Sequence, residues 1–201
     1  GVLGECPVDN VVGAAYFWEP DVMRSMVIEG RAQTSPADGA AVYAEICRRW
    51  GEARLGGFDG ADRLADLCER VVDRVSPLVA PLFVGWRDQP RPASGAGRAF
   101  HLCQVMRELR FSRHVVAVQA SGMSPLEAIL SGPAGEWNAE FFGWSRPFPD
   151  VSSLADARAE IEDATDRLHA PDFEVLTPHE RAELRALAKT ARAYADQQPE
   201  T

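Results

Sequence analysis

Apolar residues recur at spacings of three and four along most of the chain, which is typical of amphipathic helices. No convincing pair of strands interrupts this pattern. It predicts helices over residues 9–18, 20–30, 38–53, 59–75, 98–120, 134–143, 153–168 and 178–195, with a further apolar stretch over 77–86. With a capped segment after Ser124, the sequence predicts an all-α protein of about nine helices, packed as a globular multi-helix bundle.

Capping residues mark several of the helix starts. Segments 124–127 (SPLE) and 177–180 (TPHE) each place a hydroxyl at the N-cap, proline at the first helical position and glutamate at the third, which is a capping box. Gly30 is predicted to end the helix that begins at Pro20, and loops are predicted over 31–37 and 87–97. The last residues, from Gln197 to Thr201, are predicted to be disordered.

The predicted helices divide the chain into two parts. A core domain over residues 1–148 contains a helix-turn-helix-like unit over 98–131, and a C-terminal helical extension over 149–201 packs on that core. The helix over 38–53 is predicted to bury an apolar stripe that consists of Val42, Ile46, Cys47 and Trp50. The helix over 59–75 has a similar stripe that consists of Leu64, Leu67, Cys68, Val71 and Val75.

The composition is that of an acidic protein of ordinary globular type. Of 201 residues, 46% are hydrophobic and 25% are charged, and 21 basic against 30 acidic residues give a formal net charge of −9. This charge repels the phosphates of nucleic acids, so strong nucleic-acid binding is not expected. No apolar run approaches the roughly 18 residues that a membrane span requires, so a membrane partner is not expected either.

The cysteines bear on the location of the protein. Cys6, Cys47, Cys68 and Cys103 include no C-x-x-C pair, and Cys47 and Cys68 fall on the apolar side of helical repeats. A free thiol in such a position behaves as a small hydrophobe, and buried reduced thiols favour a cytoplasmic location. The first residues show neither the basic nor the apolar region of a secretory signal, which agrees with that location.

The segment from Arg113 to Leu130 has the pattern of a helix-turn-helix. It combines an apolar helix, Gly122 at the turn and a capped second helix. Between Val115 and Phe142, however, there is no lysine or arginine, while glutamate occurs three times, at 127, 136 and 140. Reading DNA requires cations that neutralise phosphates, so the motif is interpreted mainly as a packing unit.

A polar stripe crosses the apolar helix over 98–120. Gln104, Arg107, Arg110 and His114 lie on one face if the helix is continuous, and Glu108 flanks them. Two arginines can clamp a carboxylate or phosphate, and a histidine can exchange a proton near neutral pH. The stripe therefore predicts His114 and Glu108 as catalytic groups and Arg107, Arg110 and Gln104 as ligand-binding groups.

Three aromatic residues complete the candidate site, and an alternative interpretation of the polar stripe stays open. Tyr16, Phe17 and Trp18 are predicted to form its wall, because aromatic rings offer flat contact to planar ligands. The alternative is a helix with an ordinary solvent-exposed face, and a break at Phe111-Ser112 would turn His114 away from the arginines. No histidine pair has the spacing of a metal site, so no metal or other cofactor is expected, although a haem on a lone histidine stays open.

Five short segments carry a family resemblance. They are residues 15–22 (AYFWEPDV), 107–114 (RELRFSRH), 121–128 (SGMSPLEA), 143–145 (GWS) and 161–168 (IEDATDRL). In this order they resemble a family of actinobacterial helix-turn-helix proteins, some of which are encoded beside antibiotic-biosynthesis genes. The resemblance implies a helical N-terminal part followed by a winged-helix-like part, and the matching polar and aromatic positions are Tyr16, Phe17, Arg107, Glu108, Arg110 and His114. The chain is shorter than the family pattern between Trp144 and Ile161, which implies that the wing is lost.

These observations predict a cofactor-independent small-molecule-binding protein or enzyme of bacterial specialised metabolism. Its ligand would be a small anionic or aromatic metabolite, and its reaction would be acid–base chemistry such as a cyclisation or isomerisation. The alternative function is a helix-turn-helix-derived transcriptional regulator or protein-interaction module without strong DNA affinity. An exposed apolar helix face that forms a homodimer is a third hypothesis.

Overall fold

The computed structural model describes residues 1–198, and none of them lies in a β-strand. The α-helices are α1 (Val8–Ala14), α2 (Pro20–Gln33), α3 (Pro36–Leu55), α4 (Ala61–Arg74), α5 (Pro81–Arg87), α6 (Gly95–Ser121), α7 (Pro125–Leu130), α8 (Gly135–Phe141), α9 (Ala155–His169) and α10 (Pro178–Asp196). Short 3₁₀ helices occupy Ser152–Leu154 and Ala170–Phe173. The predicted all-α multi-helix class is confirmed.

The junction between α2 and α3 differs from the prediction. Helix α2 continues through Gly30 to Gln33, because an interior glycine costs a helix only about 1 kcal/mol. Thr34 is extended, and the Ser35 side chain then caps α3 by accepting a hydrogen bond from the backbone N–H of Asp38 at 3.1 Å. The predicted stop at Gly30 is therefore wrong, and the predicted loop over 31–37 is confirmed only at Thr34 and Ser35.

Helix α6 is the central element and packs against α3, α4, α5 and α9. It does not break at Phe111-Ser112, since the Ser112 hydroxyl donates to the Glu108 carbonyl at 2.9 Å within the helix. It ends at Gly122, whose φ of 77° is the left-handed conformation that glycine adopts without strain. The predicted capping boxes at the starts of α7 and α10 are both confirmed.

The first of two apolar cores lies between α4 and the N-terminal half of α6, and α3, α5 and α10 cover it. The stripe predicted for α4 is confirmed, and all five of its residues are buried. The stripe predicted for α3 is wrong except at Cys47, because Val42, Ile46 and Trp50 are exposed. A Cβ atom at Gly51 would lie 2.4 Å from the Cβ of Phe100, so α3 meets α6 through its small residues and leaves the larger side chains outside.

The second core joins α7, α8 and α9 to the C-terminal half of α6. Phe17, from the segment between α1 and α2, is buried in it, and its carbonyl accepts a hydrogen bond from the indole Nε1 of Trp144 at 2.9 Å. Helix α6, Gly122 and the capped α7 form the predicted helix-turn-helix-like unit, and α8 follows it. Residues 142–151 then lead towards α9 without a helix or a strand.

The C-terminal end of the chain and its membrane-spanning potential complete the description. The prediction of disorder is wrong at Gln197 and Gln198. Their backbone N–H groups donate to the carbonyls of Tyr194 and Ala195, each at 3.2 Å, and so extend the last turn of α10. Residues 199–201, which that prediction also covers, lie outside the described residues. Among helices of the described chain, none has the length and apolar character needed to cross a membrane.

Candidate functional site

The predicted polar stripe divides into two clusters on different sides of α6. In the first, the buried Glu108 accepts two hydrogen bonds at Oε1, from Gln104 Nε2 at 2.9 Å and from Arg107 Nη2 at 2.7 Å. The Arg107 side chain is 69% exposed. Tyr43 and Cys47 of α3 lie on the same side, and burial raises the pKa of both groups. Glu108, Gln104 and Arg107 thus bind one another beside the α3–α6 contact.

Arg110 belongs to the second cluster, which faces α9. Its Nη2 lies 2.7 Å from Glu162 Oε2 and 3.7 Å from Asp166 Oδ1. Arg107 and Arg110 therefore contact different carboxylates, one on α6 itself and the other on α9. The structure does not bring their two guanidinium groups together around a single space.

His114 contacts the same face of α9. Its Nδ1 lies 2.8 Å from the hydroxyl of Thr165, and that hydroxyl donates its only hydrogen to the Ile161 carbonyl at 2.8 Å. The hydroxyl must therefore accept from His114, which places the ring proton on Nδ1 and a lone pair on Nε2. Within residues 1–198, Nε2 has no hydrogen-bond partner.

Burial determines the charge of His114. Loss of solvent, together with the nearby charges of Arg158 and Arg110, lowers the pKa of His114 to about 4, against the opposing charge of Glu162. The imidazole is consequently neutral near pH 7. It presents Nε2 as a hydrogen-bond acceptor rather than as a cation.

One of the three predicted aromatic residues, Phe17, lies beside His114, and a second, Tyr16, packs on Phe17. The Phe17 ring is 5.8 Å from the His114 ring and 5.6 Å from Phe111, and Tyr16 packs edge-on against Phe17 at 5.0 Å. Trp18 instead contacts the rings of residues 141 and 142 at the end of α8. Tyr16 and Phe17 therefore form an aromatic side of the second cluster, and Trp18 supports α8.

Arg158 is a member of this cluster that sequence reasoning missed. Its side chain is only 16% exposed, and its Nη2 lies 2.5 Å from Glu162 Oε1. Its Nε and Nη1 are buried without any hydrogen-bond partner in the described part of the chain. The signal in the sequence is the spacing of Arg158, Glu162 and Thr165 along one face of α9.

We call Arg110, His114, Arg158, Glu162 and Thr165 the α6–α9 polar cluster. Burial alone would raise the pKa of Glu162, but the hydrogen bond from Arg110 and the adjacent positive charges outweigh it and lower that pKa. The cluster therefore contains two cations around one ionised carboxylate. Two donor nitrogens of Arg158, Nε and Nη1, and one acceptor nitrogen of His114, Nε2, have no hydrogen-bond partner in the described chain.

No group of three or more His, Cys, Asp or Glu side chains in residues 1–198 could hold a metal ion. His101, a further histidine of α6, is buried against Trp86 with ring centres 6.1 Å apart, and its Nε2 has no partner in the described chain. Burial lowers the pKa of His101 as well. It lies in the first core, away from the polar cluster.

Helix α8, which follows the helix-turn-helix-like unit, carries acidic groups. Glu136 and Glu140 bind the guanidinium of Arg146, at 2.5 Å and 2.7 Å respectively, while Trp137 and Phe141 stack in the open with ring centres 5.6 Å apart. Neither α7 nor α8 contains a lysine or arginine.

Comparison with known proteins adds one finding. A family model described as a helix-turn-helix family matches residues 1–155 of the chain. No curated protein and no solved structure gives a match.

Proposed function

The chain belongs to this helix-turn-helix family, and from that premise we propose that it binds a small organic anion at the α6–α9 polar cluster. The observation that carries this proposal is the pair of buried, unpartnered donor nitrogens on Arg158, Nε and Nη1. A buried donor without a partner costs about 1–3 kcal/mol, so a ligand oxygen that accepts from it gains affinity.

The unused groups define the chemistry of the ligand. A carboxylate oxygen can accept from Arg158, and a hydroxyl on the same molecule can donate to His114 Nε2. The partly exposed Tyr16 ring, which packs edge-on against the buried Phe17, offers contact to an aromatic body. A hydroxy acid or phenolic acid satisfies all three requirements, without a metal or a nucleotide cofactor.

The pKa of His114 favours binding over catalysis in the empty site. A base with a pKa of about 4 accepts a proton poorly at neutral pH. A bound carboxylate would raise that pKa by placing a negative charge beside the ring. We therefore propose that any acid–base step, such as a cyclisation or isomerisation in bacterial specialised metabolism, uses His114 only with the anion bound.

Glu108 has a different role in this proposal. It is six residues from His114, which places it about 120° away around α6. Its carboxylate also has two donors already, from Gln104 and Arg107. We assign these three residues to the α3–α6 contact, and we assign ligand contact to Arg158, His114 and the aromatic rings.

Salicylate tests the proposal because it combines a carboxylate, an adjacent hydroxyl and an aromatic ring. We expect saturable binding by calorimetry and a rise in the pKa of His114 by nitrogen-detected NMR. Arg158→Met should weaken binding at least tenfold, whereas Arg49→Met, which removes an exposed cation of α3, should not. If neither salicylate nor lactate binds, or if Arg158→Met binds them as the wild type does, the proposal is wrong.

Family membership favours the second candidate, a helix-turn-helix-derived regulator. Each phosphate contact on DNA requires a cation, and α7 and α8 have none. We expect weak fluorescence anisotropy with the gene's own upstream DNA at low salt. Tight binding that weakens steeply with added salt would support the regulator and contradict our preference.

The exposed face of α3 supports a homodimer as part of the proposal. Val42, Ile46 and Trp50 are spaced by four residues and are 61%, 56% and 42% exposed. A second copy that packs on this stripe would remove it from water. Light scattering should give a dimer for the wild type and a monomer for Ile46→Glu, and a wild-type monomer at all concentrations would exclude the dimer.

The thiols support the proposed cytoplasmic location. Cys47 and Cys68 are buried, and all four cysteines are free, a state that persists in a reducing compartment. Alkylation of acid-quenched, denatured protein from cells should label all four thiols. Recovery of an oxidised pair would argue for a different location.

A further inference from the structure

Three arginines near the C-terminal end, Arg167, Arg181 and Arg185, contact no carboxylate in the described chain. Other arginines do: Arg48, Arg91 and Arg98 each contact two carboxylates. By contrast, Arg167 of α9 and Arg185 of α10 have neither an ion pair nor a hydrogen bond with any residue in the described range 1–198. Arg181 of α10 contacts backbone only: its Nη1 donates to the carbonyls of Leu176 at 2.8 Å and Phe173 at 3.5 Å.

These three arginines line one cavity. It is a groove of about 800 Å³ between α10 and the 3₁₀ helix Ala170–Phe173, within the roughly 300–1,000 Å³ range of ligand sites. Its apolar lining consists of Ala170, Pro171, Phe173, Leu184 and Ala188, and Glu174 is its one acidic member. The groove therefore has an excess of two positive charges (three arginines against one glutamate) in a chain of net charge −9.

Partly buried polar contacts hold the apolar wall in place. The Phe173 ring packs edge-on against His169 at 4.8 Å, and His169 Nδ1 lies 3.0 Å from Asp172. Asp172 in turn accepts two hydrogen bonds of 3.0 Å from Arg113 of α6. The wall is thus fixed to the central helix before any ligand arrives.

We propose that this groove is a second binding site, for an amphipathic organic anion. The carboxylate, sulfonate or phosphate head of the ligand lies among Arg167, Arg181 and Arg185, and its apolar body lies against Phe173 and Leu184. Charge complementarity selects the head, because unpaired guanidinium groups gain hydrogen bonds and charge neutralisation from an anion.

The two binding sites are separate. The groove shares no residue with the α6–α9 polar cluster, and it lies outside residues 1–155, the part of the chain that the family model matches. Either site can therefore exist without the other. A small amphiphile fits the groove better than DNA does, because the apolar wall would gain nothing from a phosphodiester backbone.

A pair of matched fluorescent probes tests the site. Anilinonaphthalene sulfonate carries an aromatic body and an anionic head, and N-phenylnaphthylamine has nearly the same body without the charge. We expect saturable binding of the sulfonate that weakens with added salt, displacement by decanoate, and at least tenfold weaker binding of the uncharged probe. If both probes bind equally, the groove is only an apolar patch and the proposal is wrong.

Charge reversal locates the bound probe. The double variant Arg167→Glu/Arg185→Glu should bind the sulfonate at least tenfold more weakly, and Arg49→Glu, an exposed change on α3, should bind it as the wild type does. Near-UV circular dichroism checks that both variants keep the native fold. Loss of binding in Arg158→Met but not in the double variant would place the probe at the polar cluster and refute this second site. Displacement by polyglutamate at concentrations where decanoate is inactive would also refute it, in favour of an acidic peptide.

Discussion

Replacing Arg158 by methionine should stabilise the protein while removing its proposed ligand contact. The variant deletes two buried donor nitrogens, Nε and Nη1, that have no partner in the described chain. At the low end of about 1 kcal/mol each, these donors cost the folded state about 2 kcal/mol. The variant also loses the contact with Glu162, which is 38% exposed and keeps Arg110 at 2.7 Å, so this loss costs at most about 1 kcal/mol. The net expectation is a gain of about 1 kcal/mol or more.

Arg113→Met is the matched control. The Arg113 side chain is 15% exposed, close to the 16% of Arg158, but its Nε and Nη2 both donate to Asp172 at 3.0 Å. Removing it leaves Asp172, whose side chain is 11% exposed, with only His169 as a polar partner. Breaking such a largely buried pair costs up to about 3 kcal/mol.

Urea denaturation of the three proteins measures both effects. At a constant m-value, the midpoint should rise for Arg158→Met and fall for Arg113→Met. Arg158→Met should also raise the pKa of His114, because the positive charge of Arg158 contributes to lowering it. If Arg158→Met destabilises the protein as much as Arg113→Met does, its donors are satisfied in solution, and the central argument for the ligand site fails.

Three further predictions concern pH, packing and capping. Since the pKa of His114 is about 4 when folded and near 6.5 when unfolded, the unfolded state binds more protons between these values, so stability should fall by up to about 3 kcal/mol as pH drops from 6.5 to 4. Urea midpoints across that range should fall less in His114→Gln than in the wild type. Gly51→Ala should destabilise the protein by about 1–3 kcal/mol, because the new Cβ would meet Phe100. Gly30→Ala, where the Cβ would enter open space, should stabilise it by up to about 1 kcal/mol. Equal shifts of the two calorimetric unfolding temperatures would contradict this packing. Ser124→Ala should cost about 1 kcal/mol in chemical denaturation through loss of the α7 capping box, and an unchanged midpoint would show that the box contributes nothing.

Local signals allowed most of the fold to be predicted. The capping boxes at Ser124 and Thr177 depend only on residues within four positions of each other, and the structure contains both. The buried face of α3 could not be predicted in the same way. Which side of that helix turns inward depends on how closely Gly51 approaches Phe100, forty-nine residues later in the chain.

The candidate site was predictable only as far as one helix determines it. Spacing on α6 placed Arg107, Arg110 and His114 along a stripe, and the helix is indeed continuous. Their division into two clusters depends on partners elsewhere, since Glu162 and Thr165 of α9 draw Arg110 and His114 to one side. Arg158 was missed for the same reason: what distinguishes it is that its buried Nε and Nη1 have no partner in the described chain.

Phe17 connects the helix-turn-helix-like unit to the α6–α9 polar cluster. Phe17 packs in the same core as Ile129 of α7 and Ala139 of α8, and its ring also lies 5.8 Å from His114. A DNA phosphate that approached α8 would meet two glutamates and would have to compete with them for Arg146. Arg167 and Arg185, which have no ion pair in the described chain, instead lie on α9 and α10 rather than on α7 or α8. We infer that α7 and α8 serve this chain by holding Phe17 against His114, so that substitutions that loosen the α7–α8 packing should reduce ligand binding before they affect any contact with DNA.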